Sequence, residues 1–192
     1  MKRLIILFSL LFAFAVCQAQ IIPASPPMRV IVAAGGGGSD TYGDCDNASA
    51  DTYLLAGAYI VYLQVTVTTG GTVSAITTYC GADAGNATGL KAALYSDNAD
   101  QPNTLLTNGT ATPITLDWNQ DNTLTFSTDP SVSDATKYWV AFKAEENNYL
   151  TEGVGAILTK YEDAAYGDAF PATATPSAYT ARDMKVCITV NH

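Results

Sequence analysis

Apolar and polar residues alternate with a period of two along much of the chain. In residues 59–68, Val61, Leu63, Val65 and Val67 fall on one face, with Tyr62, Gln64, Thr66 and Thr68 on the other. That pattern predicts a strand with one buried side. Gly70-Gly71 reads as a hairpin turn into a second strand over 72–80. After a loop rich in Gly, Ala and Asn, Leu90, Ala92 and Leu94 share a face of 90–95, and Ser96-Asp97-Asn98-Ala99-Asp100 is a turn cluster. Further strands are predicted at 112–118, 123–127, 137–143, 153–161 and 184–190. No segment sustains a capped 3.6-residue period. Eight or so short strands rich in Thr, Val and Tyr predict an all-β fold, an antiparallel β-sandwich, with a jelly roll as the favoured topology.

The first nineteen residues break this pattern and read as a secretory signal. Lys2 and Arg3 precede an apolar run, Leu4 to Val16, and Cys17-Gln18-Ala19 supplies small residues for cleavage. The run is too short to span a bilayer, which takes about 20 residues. A retained anchor fits the flanks less well, and bulky Val16 stands where lipidation of Cys17 would want a small residue. Residues 20–38 form a leader with Pro23, Pro26 and Pro27 at one end and Gly35 to Gly38 at the other. Between them lies a short apolar, strand-prone arm, residues 28–34, centred on Val30, Ile31 and Val32. The sandwich domain is expected over 39–192.

Composition narrows the role. The 192 residues suit one ordinary domain, and 48% apolar against 14% charged residues allows a sizeable core. The net charge of −9 argues against nucleic acid, and cleavage of the signal would remove two basic residues and no acid. The only histidine is His192, so Ser-His-Asp or Cys-His nucleophiles and His-ligated metals lack their parts. Export implies an oxidising compartment for Cys45, Cys80 and Cys187. Three single bridges are open to them, with Cys80 and Cys187 at core-like positions and Cys45 in a polar loop.

Residues 89–142 resemble a jelly-roll module of secreted bacterial proteins, of the anchoring type. The likeness rests on Leu90-Lys91-Ala92-Ala93-Leu94-Tyr95-Ser96-Asp97, on Gln101-Pro102-Asn103-Thr104-Leu105-Leu106 and on Lys137-Tyr138-Trp139-Val140-Ala141-Phe142. Tyr166-Gly167-Asp168-Ala169-Phe170-Pro171 is similar to a loop near the end of such modules. The shared positions are turn formers and core aromatics, so the resemblance implies a fold and an extracellular adhesion, glycan-contacting or display role, with no catalytic residues.

Candidate chemistry is sparse. Asp40, Asp44 and Asp46 lie at alternating or near-alternating positions in an acidic stretch that suits calcium, a hard cation seeking oxygen ligands, and the competing reading is a solvated loop. The glutamates Glu145, Glu146, Glu152 and Glu162 form no recognisable acid–base pair for glycoside hydrolysis. Trp139, inside an apolar strand, reads as core. Trp118, Tyr95, Tyr149 and Tyr166 lie beside turns or strand ends and are the candidate glycan-stacking residues. The glycine run 35–38 lacks the Gly-Lys-Ser/Thr of a phosphate loop. Asn47-Ala48-Ser49, Asn86-Ala87-Thr88 and Asn108-Gly109-Thr110 match glycosylation acceptors. The expected role is a secreted, non-enzymatic surface-adhesion or glycan-binding module. The alternative is a subunit of an extracellular assembly, with the arm donated as a strand to another copy.

Overall fold

Strands and turns account for all the regular structure in a computed structural model that describes residues 37–44, 52–55, 57–81, 89–145, 148–151, 158–181 and 184–192. In chain order the strands are β1 (Ser39–Asp44), β2 (Thr52–Leu55), β3 (Tyr59–Val67), β4 (Gly71–Cys80), β5 (Gly89–Asp97), β6 (Pro102–Thr110), β7 (Ile114–Thr115), β8 (Gln120–Thr125), β9 (Ser131–Val132), β10 (Thr136–Ala144), β11 (Asn148–Thr151), β12 (Leu158–Asp163), β13 (Ala178–Ala181) and β14 (Val186–Asn191). One sheet runs β1-β14-β4-β11-β2, with β8 and β9 also along β4. The other runs β13-β12-β3-β10-β5-β6, with β7 beside β5.

The antiparallel pairs nest. β5 pairs with β6, β4 with β8, β3 with β10, and β1 with β14, each pair enclosing the one before it in sequence. A long hairpin rolled up so that successive pairs fall in alternate sheets gives this order, which is the jelly-roll arrangement.

The predicted alternation is the inter-sheet core. Val61, Leu63, Val65 and Val67 of β3 are at most 2% exposed. They pack with Leu90, Ala92 and Leu94 of β5, Val140 and Phe142 of β10, and Ile76, Leu124, Val186 and Ile188 from the facing sheet. Cys80 joins this core as an unbridged thiol, and burial pushes its pKa up to about 12. Cys187 is buried as well, while Cys45 lies outside the described residues.

Two readings from the sequence are corrected. The strand expected at 112–118 is reduced to the two residues of β7. Pro113 has no N–H to donate, and downstream the Asn122 side chain folds the chain back, accepting from Asp117 N at 2.8 Å and donating to Asp117 O at 2.8 Å. The acidic stretch expected as a loop begins as strand β1, in register with β14 from Ser39↔Asn191 to Asp44↔Val186. Its polarity is that of an edge strand: Tyr42 alone turns into the core while Ser39, Asp40 and Thr41 stay exposed. The arm residues Val30, Ile31 and Val32 lie outside the described residues.

The β5–β6 turn carries local strain. Asn98 N donates to Gln101 O at 2.9 Å and Gln101 N to Asn98 O at 3.2 Å, closing a two-residue hairpin loop. Its central residues, Ala99 and Asp100, sit at φ 53° and 60°, the left-handed pair of a type I′ turn. A side chain there costs about 1–2 kcal/mol, part of which glycine returns through unfolded-state entropy. Ala99→Gly is therefore expected to stabilise the fold by about 0.5–1 kcal/mol, read as a higher urea midpoint. A lower midpoint would remove the strain argument.

Candidate functional site

A sandwich of this kind normally shows solvent a polar outer face, but one sheet here carries a second core on that side. Ile60, Tyr62, Ala93, Tyr95, Trp139 and Ala141 are all 0% exposed and pack with Phe170 and Ala174. The cover is the segment between β12 and β13, residues 164–177, which crosses the sheet as a strap. It leaves beside β3, where Ala164 N donates to Ala58 O at 3.0 Å. At the far edge it runs along β6, with Leu105 N to Ala172 O at 3.0 Å and Ala174 N to Asn103 O at 2.7 Å. It returns where Ser177 N meets Tyr161 O at 3.0 Å. From β12 to β6 is about 19 Å at the usual strand spacing, within reach of the nine residue steps from Asp163 to Ala172. The strap thus also covers part of an edge that would otherwise expose unpaired backbone groups.

Polar groups tie the strap down. Lys143 is fully buried beneath it, and its Nζ donates to Ala165 O, Asp168 O and Ala169 O at 3.3, 3.2 and 3.2 Å. Burial lowers the pKa of this ammonium, while the carbonyls solvate it in place of water. Tyr62 donates to Glu162 Oε2 at 2.8 Å, and the same carboxylate receives Thr175 N at 2.9 Å and Thr175 Oγ1 at 3.1 Å. Tyr95 donates to Pro171 O at 2.7 Å and meets Tyr62 edge to face, with ring centroids 5.3 Å apart. Burial raises the pKa of both phenols. Beyond the strap, Asp97 Oδ1 accepts Trp139 Nε1 at 2.7 Å and Gln64 Nε2 at 3.1 Å, and Asp100 accepts Gln64 and Lys137. Lys137 holds the exposed Asp100 carboxyl below its ordinary pKa. In this arrangement lysine, glutamate and tyrosines act as fasteners.

Of the residues singled out for a stacking patch, Tyr95 and Trp118 lie on opposite sides of a sheet. Tyr95, expected beside a turn, is a fully buried member of the outer core, because its β5 position faces the strap. Trp118 is half-buried and packs against the inter-sheet core, on the opposite side of the sheet from Tyr95. Tyr166 belongs to the strap, with Lys91 Nζ 4.2 Å from its ring centroid and donating to its carbonyl at 2.7 Å. Tyr149 lies in β11 opposite Leu54, and its side chain is outside the described part.

The acidic residues are likewise separated. Asp40 and Asp44 are four residues apart on one strand, about 13 Å, too far for one ion. Asp40 is engaged with His192 Nε2 at 3.2 Å and Tyr42 OH at 3.3 Å, and Asp46 lies outside the described residues. Among the described residues no three His, Cys, Asp or Glu side chains gather as a metal site.

The feature that the sequence pattern did not reveal is a groove of about 310 Å³ at the open edge of the sandwich, lined by Leu106, Thr107, Asn108, Asp129, Pro130 and Ser131. One wall is a bulge in β6. Ala93 pairs with Thr110 and Tyr95 with Leu105, so the chain from 105 to 110 spans what β5 covers from 93 to 95. Asn108 sits at its tip with φ 60°. Gly109 follows where a Cβ would lie 2.8 Å from both Leu106 O and Leu94 O, so no other residue fits. The other wall is the run into β9 from the facing sheet, anchored where Val73 N donates to Pro130 O at 2.9 Å. The walls are more than twenty residues apart in sequence and in different sheets, so only the unusual Asn-Gly within a strand-like stretch hinted at them. No protein-family model matches the chain, and none of the curated proteins does.

Proposed function

We propose that this protein is a secreted, non-enzymatic β-sandwich module that binds a neutral glycan in the edge groove. The observation that carries the reading is the lining itself. Half-buried Leu106 and buried Pro130 supply an apolar floor. Around it Thr107, Asn108, Asp129 and Ser131 place hydroxyl, amide and carboxylate groups, the donor and acceptor mixture that a sugar's hydroxyls pair with above its apolar ring faces. Asp129 and a net charge of −9 disfavour anionic sugars. The resemblance to secreted bacterial jelly-roll modules points the same way.

The test is calorimetric titration of neutral oligosaccharides against the protein and its Asn108→Ala and Asp129→Ala variants. Each substitution is expected to weaken binding about tenfold, the value of one well-placed polar contact. Equal binding by both variants would move the site elsewhere. A chain that binds no sugar and self-associates instead would transfer the reading to a subunit of an assembly. That alternative is favoured by one observation: β1 ends the strand order of its sheet and directly follows the glycine run behind the apolar arm.

A further inference from the structure

We infer that Asn108 is a site of spontaneous backbone modification, converting to isoaspartate through a succinimide ahead of every other described asparagine. Ring closure needs a side-chain amide free to turn toward the next backbone nitrogen, and a following residue with no side chain in the way. Asn108 meets both conditions. It is exposed at the tip of the β6 bulge, its amide makes no hydrogen bond to the described residues, and Gly109 follows it. Asn98, Asn103, Asn119, Asn148 and Asn191 are followed by Ala, Thr, Gln, Tyr and His. Asn122 is 3% exposed, and its side chain is held by Asp117 N, Asp117 O and Gln120 O at 2.8, 2.8 and 3.1 Å.

The fold itself maintains this vulnerable dipeptide. Position 109 admits only glycine, since a Cβ would meet two carbonyl oxygens at 2.8 Å. The left-handed φ of 60° at position 108 favours Asn over most residues. Geometry that closes the bulge therefore also sets an exposed Asn108 directly before its obligatory, buried glycine.

The step is balanced with water as the only co-reactant. Hydroxide removes the Gly109 amide proton, the nitrogen attacks Asn108 Cγ, the N–Cγ bond forms and the Cγ–NH2 bond breaks, and ammonia leaves with the proton. Water then opens the ring at either carbonyl, giving aspartate or isoaspartate. The second product moves the backbone through the side chain and lengthens the bulge by one carbon. Either product adds a carboxylate to a groove that already holds Asp129.

The experiment is prolonged incubation of the folded protein at mildly alkaline pH, followed by peptide mapping by mass and by enzymatic methylation of isoaspartate. A free peptide spanning residues 106–110 in the same tube serves as the chemical reference. The expected result is a one-dalton gain at position 108 before any other described asparagine, faster as pH rises, and absent from Asn108→Gln. A protein unchanged at 108 while the peptide converts would overturn the inference, as would earlier conversion at any other described asparagine. The readout is independent of glycan binding, so failure of either idea leaves the other standing.

Discussion

Stability is expected to be level up to about pH 9 and then to fall steeply, losing about 4 kcal/mol per pH unit above pH 10. Three buried weak acids produce this limb. Cys80 titrates near 12 in the fold against 9.0 for an ordinary thiol, and Tyr62 and Tyr95 titrate above their ordinary 10.0. In the unfolded chain these groups lose their protons at ordinary values, whereas the folded chain retains them. Folded pKa values raised above unfolded ones mean stability that is complete below the unfolded pKa and lost as pH rises past it. Each retained proton contributes about 1.4 kcal/mol per pH unit. All three side chains are 0% exposed, so solvent screening does not soften the effect. Urea melts at pH 8, 10 and 11 check it, and Cys80→Ala should shift the onset upward by about one pH unit. A midpoint that holds level through pH 11 would contradict the burial of these groups.

Lys143→Met should loosen the strap while leaving the inter-sheet core intact. The substitution keeps an apolar stem of similar length and removes the ammonium that holds the carbonyls of Ala165, Asp168 and Ala169. Two effects compete. Losing charge-assisted bonds and orphaning the acceptors costs about 1–3 kcal/mol each, whereas deleting a buried charge returns its desolvation penalty. Ala165, Asp168 and Ala169 are themselves exposed, so their carbonyls recover water once the strap lifts by a small amount. The resolution is local opening: about 1–2 kcal/mol of global destabilisation with a much larger loss of amide protection across 164–177. Hydrogen exchange resolved by peptide distinguishes this from uniform weakening. Unchanged protection of the strap would show that apolar packing under Phe170 suffices and that the ammonium is incidental.

The two cores show how far the sequence could be read. The inward faces of β3 and β5 were legible because Val61, Leu63, Leu90 and Ala92 are aliphatic and recur with a period of two. The outer core was hidden because its large members, Tyr62, Tyr95 and Trp139, carry polar atoms and read equally well as surface aromatics. Their partners come from a strap whose residues have no periodicity to announce a buried face. β1 was masked by its acids, which an edge strand tolerates on its solvent side. Tyr95 was misplaced for a related reason: a position beside a turn does not specify a face, and the sheet separates Tyr95 from Trp118.

The nested pairing has a kinetic consequence. β14 lies between β1 and β4, so the register Ser39↔Asn191 joins residues near opposite ends of the domain. The β5–β6 hairpin can form from neighbouring residues, and β3–β10 can follow by zipping outward, but the β1-side sheet lacks an interior strand until β14 arrives. A nascent chain emerging from a ribosome therefore stays incompletely folded until β14 has emerged, and the sandwich closes in a late step of high contact order, on the millisecond-to-second scale of such β topologies. Until then the edges of β1 and β4 that β14 will occupy stay open, and that interval is when chaperones or neighbouring chains would have access to them.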